Sequence, residues 1–434
     1  VSDFKFNEAI QFYRNKIKLP TSGWTDLWQE QHSHAFVVAG AAQDALVEDF
    51  FNAIQQAKWG KDGGGYEGFK KTFPEIAAKH GWSYNGAPGW RSRVIYDTNI
   101  TQAYNAGRYQ QMVAVKEFRP YWQYRHTSIE HPRLTHKAWD SLILPADDPW
   151  WNSHFPQNGW GCKCRVDSLS RAEAEPLWKA KGNQGPDNAP PIEWEDKLVG
   201  KNGSNPRVVR TPKGIDPGFA YNPGKAWLEP HIVPPLPEHL ARLVPDEWPW
   251  PKGYKPPTAP IPTPVSKALL HDDVVPPTSV VTEFLSEFGA TLTTPVVFMD
   301  ERIDAAIVIG SKMFIAGGAA YDESLGDEQF KMMMEGKGGR KKYMRLLAQS
   351  IKDPDEIWQS WETIKKNPAF EGQKIQVSHY LKAFVFADAD GAERYMIAIF
   401  RKSRLGWDAV TTFHSSKENY FESKRRGFLA YKKK

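Results

Sequence analysis

The stretch from Val233 to Pro264, VPPLPEHLARLVPDEWPWPKGYKPPTAPIPTP, constrains the fold more than any other part of this 434-residue chain. Each proline fixes its own φ, removes a backbone donor and clashes with the preceding helical turn, so a run this dense excludes a helix interior or a central strand. Most of the chain's prolines fall between Pro186 and Pro264. The chain is therefore expected to divide into folded ends, 1–170 and 265–434, joined by an extended linker over 171–264. Length agrees, because a single hydrophobic core rarely grows past roughly 250–300 residues. With 41% apolar residues, both ends can build cores.

The N-terminal end reads as helix-rich. Phe6, Ile10, Phe12 and Ile17 recur at near-helical spacing, and HSHAFVVAGAAQDALVEDFFNAIQQAKW is a long amphipathic run closed by Gly60. A further helix is expected from Asp97 or Thr98, as cap, through Met112. Beyond it, EFRPYWQYRHTSIEHPRLTHKAWDSLILPADDPWW reads as short strands and turns. In the C-terminal end SVVTEFLSEFGATL is helical, TPVVFMD and AAIVIGSKMFI read as strands, and KKYMRLLAQSIKDPDEIWQSWETIKK reads as a helix stopped at Asp353-Pro354, then a second helix. Two apolar runs flanking Asp390-Gly391 make a hairpin, and GWDAVTTFHSS adds a strand. Helices first and antiparallel strands later give an α+β class.

The only cysteines, Cys162 and Cys164, sit in DDPWWNSHFPQNGWGCKCRV, residues 147–166. A bridge between such close neighbours is strained, so nothing asks for an oxidising compartment. Thiolates beside imidazoles are zinc ligands, and His126, His131, His136 and His154 lie nearby. The spacing is C-x-C rather than the C-x-x-C knuckle, so two alternatives stand. The thiols can be small buried hydrophobes in a wound loop, or half of a Cys-His nucleophile pair, for which no orienting acid is visible.

The formal net charge of +5 is modest, but from Arg401 to the end ten Lys or Arg face three acids. Cleaving RNA without a metal needs a base for the 2′-hydroxyl, an acid for the leaving oxygen and a cation over the phosphate. His379, Arg345, His414, Thr411 and Arg401 are the candidates, and no metal-spaced carboxylate cluster points to two-metal hydrolysis. Lys341, Lys342, Trp358, Lys417, Arg425 and Arg426 are candidate nucleic-acid contacts. Each has a plainer reading: a charge run is usually a solvated face, and Trp358 with Trp361 at i, i+3 is a core pair of a helix. No stretch approaches the roughly 20 apolar residues of a membrane span, and the N-terminus has no signal-peptide core. It begins at Val rather than Met, which leaves room for residues before it.

The run from Tyr121 to Val166, with Asp147 and Asp148 before PQNGWGCKC, resembles the signature of the F-type minor head (head morphogenesis) proteins of Mu-like phages. EAIQFYRNKIKLPTSGW, HAFVVAG and DTNITQAYNAGRY extend the resemblance over roughly residues 1–170. It sets Cys162 and Cys164 on the family's cysteines; IEHPRLTH replaces the usual approach to the family's histidine, so His131 and His136 both stand for it. It implies a low-copy protein in the virion, inside the capsid near the portal, with portal and capsid proteins and packaged nucleic acid as partners. Residues 280–434 resemble the barnase/EndoU/colicin/RelE-like nuclease domains found at the C-termini of phage head proteins. Those are predicted ribonucleases with helices followed by a curved antiparallel sheet. Together the two resemblances give the layout of phage polymorphic toxins: a head protein carrying a ribonuclease that needs no cofactor and reaches the host cytoplasm by injection. The competing expectation is a purely structural protein whose basic end domain binds nucleic acid or capsid partners without cutting. A structural zinc at Cys162, Cys164, His136 and His131 fits either.

Overall fold

The computed structural model describes residues 6–127, 132–201, 206–241, 243, 256–335, 340–363, 374–386, 393–403 and 406–433. They form two compact units: Val1–Pro230 with Leu243–Tyr254, and His231–Arg242 with Lys255–Lys434. The architecture is α+β.

The first unit opens with α1 (Asn7–Arg14), a short parallel pair β1 (Ile17–Lys18) and β2 (Ala35–Phe36), then α2 (Asp44–Trp59), α3 (Gly65–Lys79) and α4 (Pro88–Ala114). Phe12, Phe50, Phe69 and Phe73 fill the core between them. Gly107 sets the approach of α1 to α4, because a Cβ there would come within 2.7 Å of the Ala9 nitrogen and 2.9 Å of the Phe6 ring. The cap expected at Asp97 or Thr98 is instead interior to α4. The helix begins at Pro88, whose fixed φ and missing N–H suit a first turn.

A three-stranded antiparallel sheet follows. Its centre is β3 (Tyr121–Arg125), flanked by β4 (Ile143–Pro145) and β5 (Arg165–Leu169), with α5 (Leu134–Ala138) and α6 (Trp151–His154) in the connections. Trp122, Tyr124, Trp150, Trp151 and Phe155 pack around Cys162 and Cys164 as a second core.

Where an extended linker is expected, residues 171–230 hold α7 (Arg171–Ala180), the hairpin β6 (Trp194–Val199) and β7 (Arg207–Pro212), and α8 (Pro223–Leu228). Two of the prolines occupy places that need no N–H: Pro212 ends a strand, and Pro223 opens a helix capped by Asn222, while Pro176 lies inside α7. Trp227 of α8 then enters the first core, edge-on to Phe12 at 5.5 Å.

The second unit comprises α9 (Glu238–Ala241), β8 (Thr263–Val265), α10 (Pro277–Ser286), β9 (Val296–Asp300), β10 (Ala305–Ile309), α11 (Glu328–Met334), α12 (Met344–Lys352), β11 (Glu356–Thr363), β12 (Lys374–Phe386), β13 (Glu393–Ser403), β14 (Gly406–Ser415), α13 (Glu418–Glu422) and β15 (Phe428–Lys432). One sheet runs in the order β15-β11-β12-β13-β14-β10-β9, with β8 added parallel to β12. All other pairs are antiparallel except β10 with β14. Tyr380, Phe384, Met396 and Phe400 face the core under α10 and α12, whereas Trp358, Val377, Leu381 and Ile397 face the other side with Phe421 of α13.

The second helix expected after Pro354 is the strand β11. Its residues alternate between the two cores, Ile357 toward the helices and Trp358 away from them, so the i, i+3 tryptophans fall on opposite faces of a strand. Pairing along both edges, with β12 and β15, overrides local helix preference. The β12–β13 hairpin forms as expected, and its Asp390-Gly391 turn lies outside the described residues.

Candidate functional site

Two clusters carry chemistry, one in each unit. In the first, the loop after α6 returns Cys162 and Cys164 beneath β3, and α5 turns His136 onto them; all three are buried. His136 Nδ1 lies 3.7 Å from Cys162 Sγ and 3.8 Å from Cys164 Sγ, and the three ligand atoms lie within 4.8 Å of one another. Tetrahedral zinc with bonds of about 2.3 Å to sulfur and 2.0 Å to nitrogen sets those edges near ~3.6 Å. The thiols are unequal. Cys164 is held well below the usual thiol range by a hydrogen bond from Cys162, with His136, Tyr124 and His126 assisting, while that same bond and burial push Cys162 up.

The outer ring of partners is equally specific. His136 Nε2 donates to the Gly214 carbonyl at 2.8 Å, which fixes the tautomer and aims the Nδ1 lone pair at the sulfurs. Gly214 has φ +91° and lies against Thr135, so it must be glycine. Asp216 accepts from Arg133 at 2.7 Å and from the Trp160 amide at 2.9 Å, clamping the cysteine loop. His126, at the end of β3, places Nδ1 3.4 Å from Cys164 Sγ, and its Nε2 is buried without a partner among the described residues. The mutually close ligand atoms are those of His136, Cys162 and Cys164, and His126 stands beside Cys164 outside that group. His131 lies outside the described residues.

The second cluster lies on the sheet face away from α10 and α12. The register sets Trp358 opposite His379 and His379 opposite Ile399, with Val377 opposite Arg401. His379 and Arg401 are thus diagonal neighbours on one face, within reach of long side chains. Thr411 pairs with Ile399 through the backbone of β14. His379 is fully buried, with Nε2 3.4 Å from Glu362 Oε1, and neither ring nitrogen has a hydrogen-bond partner among the described residues. Burial pushes the imidazole below its ordinary value, against the pull of Glu362. Glu362 is held down to about 2, by His379 first and also by Arg426, which donates to it at 2.9 Å. Glu362 was missed by sequence reasoning, because only the register brings it to His379.

The other expected residues are placed differently. Arg345 lies on α12 and is paired with Glu283 at 2.6 Å, and His414 lies tilted against the Tyr343 ring at 3.9 Å and pairs in register with Met396 of the helix-side core. Neither therefore converges with His379; the sheet separates them, since strand residues of opposite parity face opposite ways. Trp358 is core, donating to Glu356 at 2.8 Å, and cannot stack on a base from there. Arg425 is buried in an ion pair with Glu356 at 2.7 Å and leaves the nucleic-acid face for the same reason. Lys342, Lys417 and Arg426 are exposed, while Lys341 donates to the Asp273 carbonyl at 2.7 Å. Among the described residues no helix is long and apolar enough to cross a membrane.

A buried thiolate-imidazole group on a helix-rich unit, followed by an antiparallel sheet with an imidazole-carboxylate pair, sets the class. Residues 53–167 match the family of phage Mu protein F like proteins, and residues 283–432 match the phage-Barnase-EndoU-ColicinE5/D-RelE like nuclease2 family. The chain carries a Mu F-like domain and a nuclease-like C-terminal domain. It is similar to the putative capsid assembly protein F of Escherichia phage Mu, 29% identical over 244 residues, which are 50% of this chain and 54% of that protein. It is also similar to the Mu-like prophage FluMu F protein of Haemophilus influenzae, 28% identical over 227 residues, 48% of this chain and 53% of that one. The chain thus spans about half the length of the curated relatives it matches. No solved structure matches it.

Proposed function

We propose that this is a phage minor capsid protein, inside the head near the portal, that acts in head morphogenesis and carries a metal-independent ribonuclease on its second unit. The observation that carries the ribonuclease reading is the Glu362–His379 pair on the sheet face that the two long helices leave free. The imidazole serves as the base for a 2′-hydroxyl, whose oxygen attacks the phosphorus, and the imidazolium so formed returns that proton to the leaving 5′-oxygen; Glu362 stabilises the imidazolium by its charge, and Arg401 and Arg426 supply positive charge for the phosphate. This set replaces the one drawn from sequence: His379 and Arg401 stay, Glu362 joins, and Arg345 and His414 leave. Support for the capsid reading comes from the Mu F-like domain and from the word capsid in the name of the phage Mu relative. The partners follow from it: portal and capsid proteins, and nucleic acid.

In the first unit Cys162, Cys164 and His136 are the residues that would hold a structural zinc, with His131 or the neighbouring His126 as the fourth ligand. A site closed by four protein ligands serves folding rather than catalysis. Elemental analysis of the purified chain should find about one zinc per chain, lost in Cys162→Ser.

The test of the ribonuclease is the full chain with total RNA in excess EDTA, beside Glu362→Gln and Arg401→Gln. Cleavage that survives the chelator and falls by about two orders of magnitude or more in the variants is expected. RNA or DNA binding with a steep salt dependence and no product would favour the structural reading instead.

A further inference from the structure

His379 poses a problem for the reading above, because it lies on the face the helices leave free and is nevertheless fully buried. Among the described residues, two segments cover that face. At one end Phe421 of α13 packs on Tyr395 at 4.7 Å. At the other end lies the segment 231–241, drawn from the proline-rich part of the chain: the His231 ring sits 6.1 Å from Trp358, the residue paired with His379, and α9 packs on β12 itself. Val233, Leu236, Leu240 and Ala241 are buried while Glu238 and His239 are exposed, so the segment is an amphipathic strap with its apolar side inward.

A second strap, residues 256–265, is fixed differently. Arg425 donates to the carbonyl of Pro257 and, at 3.2 Å, to that of Thr258; Lys432 donates to Thr258 at 2.9 Å, and β8 hydrogen-bonds along β12. Backbone hydrogen bonds and a buried cation make it part of the sheet. Among the described residues the 231–241 strap pairs with no strand of the sheet: its α-helix is four residues long, and its prolines at 234, 235 and 237 lack the donors with which to join a ladder. It is the kind of element that opens locally without global unfolding.

We infer that the 231–241 strap is a built-in cover over the Glu362–His379 face, and that substrate reaches His379 only when the strap lifts. The cover explains an imidazole with no hydrogen-bond partner for either nitrogen: with the strap down the pocket excludes water, and with it up the nitrogens meet solvent or the 2′-hydroxyl of an RNA. The inference rests on the ribonuclease reading for its purpose, but the cover itself is tested without it.

The experiment uses the full chain, Leu236→Asp with Leu240→Asp, and the milder Leu240→Ala. Labelling of histidines by diethyl pyrocarbonate is followed residue by residue by peptide mass spectrometry, with exposed His239 as the internal reference, and RNA cleavage in EDTA is measured on the same samples. His379 should label far more slowly than His239 in the unaltered chain, about tenfold or more faster in the aspartate pair, and by an intermediate amount in Leu240→Ala, which keeps the test alive if the aspartate pair does not fold. RNA cleavage should rise in the same order. Labelling that rises without cleavage supports the cover and overturns the ribonuclease reading. Labelling of His379 as fast as His239 in the unaltered chain, or unchanged in a folded variant, overturns the cover.

Discussion

Two buried histidines, one in each unit, have opposite surroundings. His136 uses both nitrogens, one donating to the Gly214 carbonyl at 2.8 Å and the other facing two sulfurs. His379 uses neither in a hydrogen bond, although a carboxylate oxygen lies 3.4 Å away. Burying an imidazole costs free energy unless its polar atoms are paired. His136 is therefore a structural part whose surroundings were built to satisfy it. His379 is a cost the second unit carries, and such costs concentrate where chemistry is done.

The largest effect that tests this contrast is on the first unit. Cys162→Ser should remove the metal and lower the stability of that unit by on the order of 5 kcal/mol, seen as a separate early melting transition that chelation of the unaltered chain reproduces. Next, Arg425→Met should cost the second unit about 3–5 kcal/mol, because it removes the nearest cation from Glu356, whose side chain is 0% exposed, and leaves it Trp358 and the more distant Lys432. Arg426→Met, at the exposed end of the Glu362 pair, should cost less than ~1 kcal/mol and so separate buried from surface pairing.

Acid sharpens the comparison further. Burial lowers His34 to about 4, against a smaller upward pull from the Ala226 carbonyl, and burial with the charge of Lys16 lowers His32 to about 4. The unfolded chain, with histidines near ~6.5, then binds more protons than the folded one between those values. The contribution of these histidines to the stability of the first unit should thus fall by a few kcal/mol as pH drops from about 6.5 to about 4, as followed by chemical denaturation. His34→Gln should flatten that slope. The smallest effect is the most telling. His379→Leu should stabilise the second unit by about 1 kcal/mol while abolishing cleavage, since it removes two unpaired buried atoms and leaves Glu362 with Arg426.

Much of this was legible in the sequence, and the parts that were not share a cause. Cys162, Cys164 and His136 stood out because ligand chemistry is local, whereas proline density pointed to a linker over 171–264, where residues 171–230 fold with the first unit and 231–241 with the second. His126 did not stand out among four neighbouring histidines, because the path of the chain between β3 and α5 decides which one returns. Gly214 and Asp216 were invisible as partners, lying 78 residues from His136 and 83 from Arg133. In the second unit the strand β11 was read as a helix from its tryptophan spacing, and with it went the chance to see Glu362 and Trp358 flanking His379. Register is a property of pairs of strands, and no single stretch contains it. The same blindness joined His379 to Arg345 and His414, which the sheet divides.

The most direct test of the central contrast is a calorimetric melt of His136→Leu and His379→Leu beside the unaltered chain. Opposite signs are expected: the first unit's transition falls, by the equivalent of about 3 kcal/mol or more, and the second unit's rises slightly. Two transitions that both fall by similar amounts would contradict the account, because His379 would then be held by its surroundings as His136 is.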